Sequence, residues 1–210
     1  MFNKAVNNEM SVTGEITSGF TFSHEVFGKG FYKVDVAVNR LSEQVDLLPL
    51  MISDSLIDVH KDYTGYTVEC TGQFRSYNRC EGIRNRLELS MFVRDIHITL
   101  PTDPTKNNQI FLDGYICRPP IYRKTPLGKE ITNILLAVNR PHGKSDYIPC
   151  ICWESKARRA SGFEVGTRLK IWGRVQSREY IKKLSETETE IRTAYEVSVL
   201  KLKGGEGNEM

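Results

Sequence analysis

Ala37-Val38-Asn39-Arg40 returns unchanged as Ala137-Val138-Asn139-Arg140, one hundred residues further along the chain. At the same offset Asn8, Gly14, Ile16, Gly28, Lys29, Asp46, Pro49 and Ser55 match Asn108, Gly114, Ile116, Gly128, Lys129, Asp146, Pro149 and Ser155. After one added residue, Gly65 and Gly72 fall on Gly166 and Gly173. Glycines, a proline and apolar stretches held in register over that span mark two copies of one domain. The 210 residues divide into units of about 95, each enough for one compact barrel or sandwich core. The expected layout is a first unit over 1–100, a proline-bracketed linker over 101–107, a second unit over 108–203 and a disordered tail over 204–210.

Composition narrows the function classes. At 40% hydrophobic and 26% charged, the chain reads as globular, and no apolar run approaches the roughly 20 residues that span a bilayer. The N-terminal Met-Phe-Asn-Lys-Ala-Val lacks the apolar core of a signal peptide, so the cytoplasm is expected. Five cysteines at 70, 80, 117, 150 and 152 do not suggest a disulfide framework. Charge divides unequally between the copies. Residues 1–100 carry ten Lys/Arg against thirteen Asp/Glu, and residues 101–203 carry nineteen against eleven. A basic second copy is what a polyanion partner requires, although surface charge also drifts freely between duplicated domains.

Both copies read as short strands separated by turns. In the second, Asn108 to Cys117, Ile131 to Asn139 and Tyr147 to Trp153 read as strands. Glu154 to Ala160 has helix formers and stops at Ser161-Gly162. Leu169 to Gln176 and Tyr195 to Leu202 alternate like half-buried strands. The first copy repeats the order with strands over 12–16, 31–39 and 47–52, a short helix between Ser53 and Asp62, and strands over 68–75 and 87–98. Five strands with one helix after the third fit an all-β oligonucleotide/oligosaccharide-binding (OB) barrel in two tandem copies. Pattern alone leaves an SH3-like barrel or a split sandwich open.

The residues of the second copy go further. Gly114-Tyr-Ile-Cys-Arg118-Pro-Pro-Ile-Tyr-Arg-Lys-Thr-Pro126-Leu-Gly128, Ile134-Leu-Leu-Ala-Val-Asn-Arg140, Asp146-Tyr147-Ile-Pro-Cys-Ile-Cys-Trp153 and Val165-Gly166-Thr-Arg-Leu-Lys-Ile-Trp-Gly173 resemble the first four strands of bacterial single-stranded DNA-binding proteins. The turn at Cys117-Arg118 is similar also to primosomal replication protein B of the same superfamily. The resemblance implies stacking of bases on aromatic side chains in a basic groove. It puts the stacking positions at His142, Tyr147, Trp153 and Tyr180, with phosphates neutralised by Arg118, Arg123, Lys124, Arg140, Lys144, Arg174 and Arg178. Tyr147 and Trp153 lie six apart and share one face of an unbulged strand; the ordinary alternative is that both are core aromatics.

At the equivalent positions the first copy has Leu47 and Ser53. It is expected to be a degenerate, weaker binder whose hairpin, with Arg75, Tyr77, Arg79, Arg84 and Arg86, is the secondary contact. Trp172 shares parity with Arg174, Arg178 and Tyr180 and is a further secondary candidate. The retained Asn-Arg pairs suit a role in the fold as well as a ligand. Cys150-x-Cys152 lacks zinc-ligand spacing and the histidines at 24, 60, 97 and 142 are scattered, so neither metal nor cofactor is expected. No catalytic constellation is present.

The resemblance implies a non-enzymatic single-stranded DNA-binding protein of replication, recombination or repair, associated with the nucleoid. Because family members assemble four barrels, it also implies a homodimer. The last residues, Gly-Glu-Gly-Asn-Glu-Met, are not the acidic tip of housekeeping members. A plasmid, phage or mobile-element version or a primosome component is therefore expected, rather than recruitment of repair enzymes through the C-terminus. The alternatives are a primosome-type protein-interaction module with weak DNA binding and a single-stranded RNA-binding regulator.

Overall fold

The computed structural model describes residues 6–81, 84–101, 103, 105–183, 185 and 188–204, with the side chains of 78–81 and 84–86 outside that description. The strands are β1 (Asn8–Ile16), β2 (Thr21–Val26), β3 (Lys29–Asn39), β4 (Val45–Ser53), β5 (Thr67–Glu81), β6 (Arg84–Ile98), β7 (Asn108–Ile116), β8 (Ile121–Lys124), β9 (Glu130–Asn139), β10 (Ser145–Trp153), β11 (Arg168–Lys183) and β12 (Thr189–Gly204), with helix α1 (Ser155–Ser161) between β10 and β11. The repeated tetrapeptide ends β3 and β9. Val34, Val36 and Val38, like Ile134, Leu136 and Val138, are buried at alternate positions, the period-two pattern of a strand with one face on a core.

In the first unit β1 pairs with β3 and β5, β3 with β4, and β5 with β6; a short parallel pairing of β4 with β6 closes the ring. The second unit repeats this with β7, β9, β10, β11 and β12. The result is two tandem five-stranded OB barrels, with β2 and β8 as hairpin arms on β3 and β9. The matched glycines have a steric cause. A Cβ on Gly14 would lie 2.4 Å from the Ala37 carbonyl oxygen, and one on Gly114 would lie 2.5 Å from that of Ala137. Each barrel closes only because its first strand passes over a small-residue crossing point.

Strands β1 and β7 also pair with each other, antiparallel, with Met10 opposite Ile110. These two residues are equivalent under the repeat, so a local two-fold axis runs through the pair and joins all twelve strands into one sheet. Reciprocal hydrogen bonds complete the seam. The Ser76 N–H donates to Asp146 Oδ1 at 2.8 Å and the Ser177 N–H to Asp46 Oδ1 at 2.7 Å. Asn7 and Asn107 donate their side-chain amides to the carbonyls of Asn139 and Asn39 in the opposite barrels. The Asn-Arg repeat therefore belongs to the docking of one copy on the other.

Two expectations change. Between Ser53 and Asp62 the chain forms turns and no helix. Polar side chains there capture backbone amides, as Asp58 does at His60 and Ser53 at Ser55, and such local bonds compete with helix formation. The second copy carries Lys-Ala-Arg-Arg-Ala instead, with Ala157 and Ala160 buried. Strand β12 runs through Gly204, one residue into the expected tail; residues 205–210 lie outside the described residues. No helix among those described is long and apolar enough to cross a membrane.

Candidate nucleic-acid interface

The pairing of β10 with β9 is unbroken from Ser145 to Trp153, so Tyr147, Pro149, Ile151 and Trp153 share one face while Ile148, Cys150 and Cys152 enter the core. At the strand rise the two rings stand about 20 Å apart. Tyr147 is 45% exposed and Trp153 half-buried. Rows from β9 and β8 extend this face. Ala137 lies beside Tyr147, Asn133 beside Ile151, and Ile131 beside both Trp153 and Arg123. This face carries an aromatic ring at each end while Ile151 and Ile131 on it are buried, and Arg123 and Lys124 are exposed on its outer arm.

Arg118 is exposed before β8 and Lys144 is exposed at the head of β10. His142 occupies the exposed turn between β9 and β10 with φ +65°, a left-handed conformation that carries strain for a non-glycine residue. Arg140 faces the seam, its Nε 3.3 Å from Asp146 Oδ2. Arg174 is half-buried there as well; burial and the nearby Arg40 charge pull its pKa down. Arg178 lies over the Tyr180 ring, 5.9 Å from its centroid.

Tyr180 and Tyr77, from the two long hairpins, line one cleft of about 750 Å³ together with Pro49 and Pro149. The two prolines are repeat equivalents, so this cleft straddles the local two-fold. Its first-barrel wall is tightly bonded. Tyr77 donates its hydroxyl to Glu88 at 2.7 Å, and Lys33 binds the same carboxylate at 3.0 Å while lying over the Tyr77 ring. Burial lowers the Lys33 pKa, but its bonds to Tyr77 and Glu88 outweigh that and hold it above the ordinary value. The side chains of Arg79, Arg84 and Arg86 lie outside the described residues. Trp172 is on the wall formed by β7, β11 and β12, 5.1 Å from the Phe111 ring and under the Lys201 ammonium. Eight residues along β11, it stands about 26 Å from Tyr180, so shared parity does not bring the two together.

The sequence reading missed an aromatic group on the first barrel. His24 stacks on Phe31 at 5.1 Å, Phe31 packs on Phe92 at 5.6 Å, and the Arg75 guanidinium lies 4.0 Å from the Phe92 centroid. Phe31 pairs directly with Ser53, so these rings occupy the face on which Leu47 and Ser53 replace the two platforms of the second copy. Looking only at positions that are aromatic in the second copy hides them. The available signal is the alternation of Phe31 and Lys33 with buried Val34 and Val36.

The profile of the Single-strand binding protein family matches residues 107–201, the second barrel. The single-stranded DNA-binding protein of Oceanobacillus iheyensis is 31% identical over 111 residues, covering 49% of this chain and 68% of that protein. That of Halalkalibacterium halodurans is 34% identical over 80 residues, covering 35% of this chain and 48% of the relative, so the chain spans about half that relative's length. The crystal structure of wild-type single-stranded DNA binding protein from Thermus aquaticus superposes with TM-score 0.73 at 17% identity, over 97% of this chain and 95% of that one, so the likeness in fold takes in both barrels. On the identity to the Oceanobacillus protein and the profile match, the chain belongs to the single-strand binding protein family.

Proposed function

We propose that this protein binds single-stranded DNA without catalysing a reaction, using the second barrel as its principal surface. The observation that carries the reading is the face of β10, where Tyr147 and Trp153 point outward from one unbulged strand in a chain of this family. Bases stack on such rings irrespective of sequence, at about 1–3 kcal/mol each. Arg118, Arg123, Lys124, Lys144 and Arg178 supply exposed positive charge around them. Tyr180 and Tyr77 extend the path into the cleft between barrels. The role is protection or presentation of single strands in replication, recombination or repair in the cytoplasm, at the nucleoid, alongside other replication or primosome proteins.

The functional unit is a homodimer of four barrels. Support comes from the open face of the shared sheet, where equivalent positions carry opposite charge. Lys170 and Lys201 stand on the second barrel where the first has Glu69 and Asp95. Two copies stacked on this face with one turned end for end place each basic end over an acidic one. The charge-reversed variant Lys170→Glu is then expected to weaken the dimer in light scattering.

Titration of intrinsic tryptophan fluorescence with poly-dT, poly-rU and duplex DNA tests the function. Strong quenching by poly-dT, weak by duplex and lost at high salt, is the expected result. A stronger response to poly-rU makes the ligand RNA, and no response to any of them in low salt refutes the reading.

A further inference from the structure

The duplicated Arg–Asp pair has two different fates. In the first barrel Arg40 closes on Asp46 with both Nε and Nη2, at 2.7 and 2.5 Å, and its Nη1 donates to Gln44. In the second barrel Arg140 approaches Asp146 only to 3.3 Å, and Arg140 Nε and Asp146 Oδ2 are both buried without a hydrogen bond. The loose pair opens into a pocket of about 460 Å³ at the barrel seam, into which Arg75 and Arg94 also project.

Three guanidinium groups thus line a pocket that holds one carboxylate. Asp146 is further occupied at Oδ1 by the Ser76 N–H. Arg75 spends one Nη2 bond on Gln73 and packs on Phe92, yet its Nε is buried with no partner. Burial and the neighbouring Arg140 charge both lower its pKa, so the cluster holds like charge at a cost that an anion would relieve. The mirror site lacks counterparts of Arg75 and Arg94 and holds two guanidinium groups instead of three, Arg40 and Arg174 near Asp46. Gln176 stands at the repeat equivalent of Arg75, and Leu200 at that of Arg94.

We infer that this seam pocket, formed by Arg75, Arg94 and Arg140 with Asn139 and Asn7 at its rim, binds a phosphate group. Planar guanidinium forks match phosphate oxygens in pairs, and an excess of two positive charges suits a phosphate better than a carboxylate. On the reading above, the phosphate is a backbone phosphodiester, held where the two barrels meet. The strand would then be anchored at the seam as well as stacked on β10. Inorganic phosphate is the other source of the same chemistry.

The test uses the full chain and has two arms. In the first, affinity for oligo-dT is measured against salt for the native protein, Arg94→Gln, Arg75→Lys and, as control, Arg159→Gln on the exposed side of α1. Losing one phosphate contact flattens the log–log slope by about 0.7 for a single strand. That change in Arg94→Gln with none in Arg159→Gln supports a backbone phosphate. In the second arm, melting is followed in inorganic phosphate against chloride at matched ionic strength. A phosphate-specific rise in the native protein that Arg94→Gln abolishes, with the strand slope unchanged, supports inorganic phosphate as ligand. Neither effect, or an equal slope change in Arg159→Gln, overturns the pocket. If the native chain binds no oligo-dT, the strand-binding reading fails and the melting arm alone decides the pocket. Arg94 is exposed, so its variant is expected to fold even if Arg75→Lys does not.

Discussion

Asp146 in the second barrel accepts the main-chain N–H of Ser76 in the first at 2.8 Å, with its side chain only 1% exposed. Ser76 Oγ in turn accepts the N–H of Tyr147 at 2.8 Å, so the residue that docks the barrels through its N–H also anchors, through its hydroxyl, the strand carrying the proposed stacking residues. The related bonds from Ser177 to Asp46 and from Leu47 to Ser177 Oγ repeat the device across the two-fold.

Asp146→Ala should therefore destabilise the protein by about 2–4 kcal/mol, because the buried Ser76 N–H loses its acceptor and the half-buried Arg140 guanidinium loses its counter-charge. Chemical denaturation checks this. Burial raises the Asp146 pKa above its ordinary value, even though the Ser76 N–H and both nearby arginines pull it down. A folded-state value above the unfolded one means that the folded protein binds more protons in that interval. The contribution of this group to stability therefore falls as pH rises from about 3.9 through the raised value. Asp146→Asn should flatten that segment of a plot of Tm against pH.

Replacing Tyr147 and Trp153 together with Ala should weaken oligo-dT binding by about 30-fold or more, given roughly 1–3 kcal/mol for each lost stack. Leu47→Ala with Ser53→Ala should change it far less. Equal losses in the two double variants, measured by fluorescence anisotropy, would refute the unequal roles of the barrels.

Trp153 and Trp172 are the two tryptophans, and Trp172 is packed against Phe111 beneath Lys201. In Trp153→Phe most of the quenching on strand addition should vanish while the remaining emission persists. Quenching that survives intact would move the contact to the wall of β7, β11 and β12.

Gly14→Ala and Gly114→Ala should each cost about 1–3 kcal/mol, the usual range for overpacking, since the added methyl meets a carbonyl oxygen across the barrel. Gly19→Ala meets nothing within 4 Å and should leave the melting temperature near that of the native protein. Differential scanning calorimetry of the three variants separates these outcomes.

The positions of β3, β9 and β10 were legible because alternation of apolar and polar residues is a local property. The same alternation placed Tyr147 and Trp153 on one face. The turns after Ser53 were misread as a helix because capture of backbone amides by Asp58 and Ser53 depends on side-chain geometry that helix propensity does not contain. The His24–Phe31–Phe92 group was invisible for a related reason: its members come from three strands, and only the register of β3 with β2 and β4, and of β4 with β6, brings them together.

By itself, the sequence determined that this protein is a duplicated β-domain with a basic, aromatic-bearing second copy, since repeats, periodicity and charge are all properties of residues in order. Only the tertiary structure decided what the repeat is for. Gly14 and Gly114 are small because Ala37 and Ala137 cross them, and Arg40 and Arg140 are paired with aspartates that cap the opposite barrel. Those partners lie in strands far apart in the chain and, across the seam, in the other copy. Distances of that kind exist only once both barrels have closed and β1 has paired with β7.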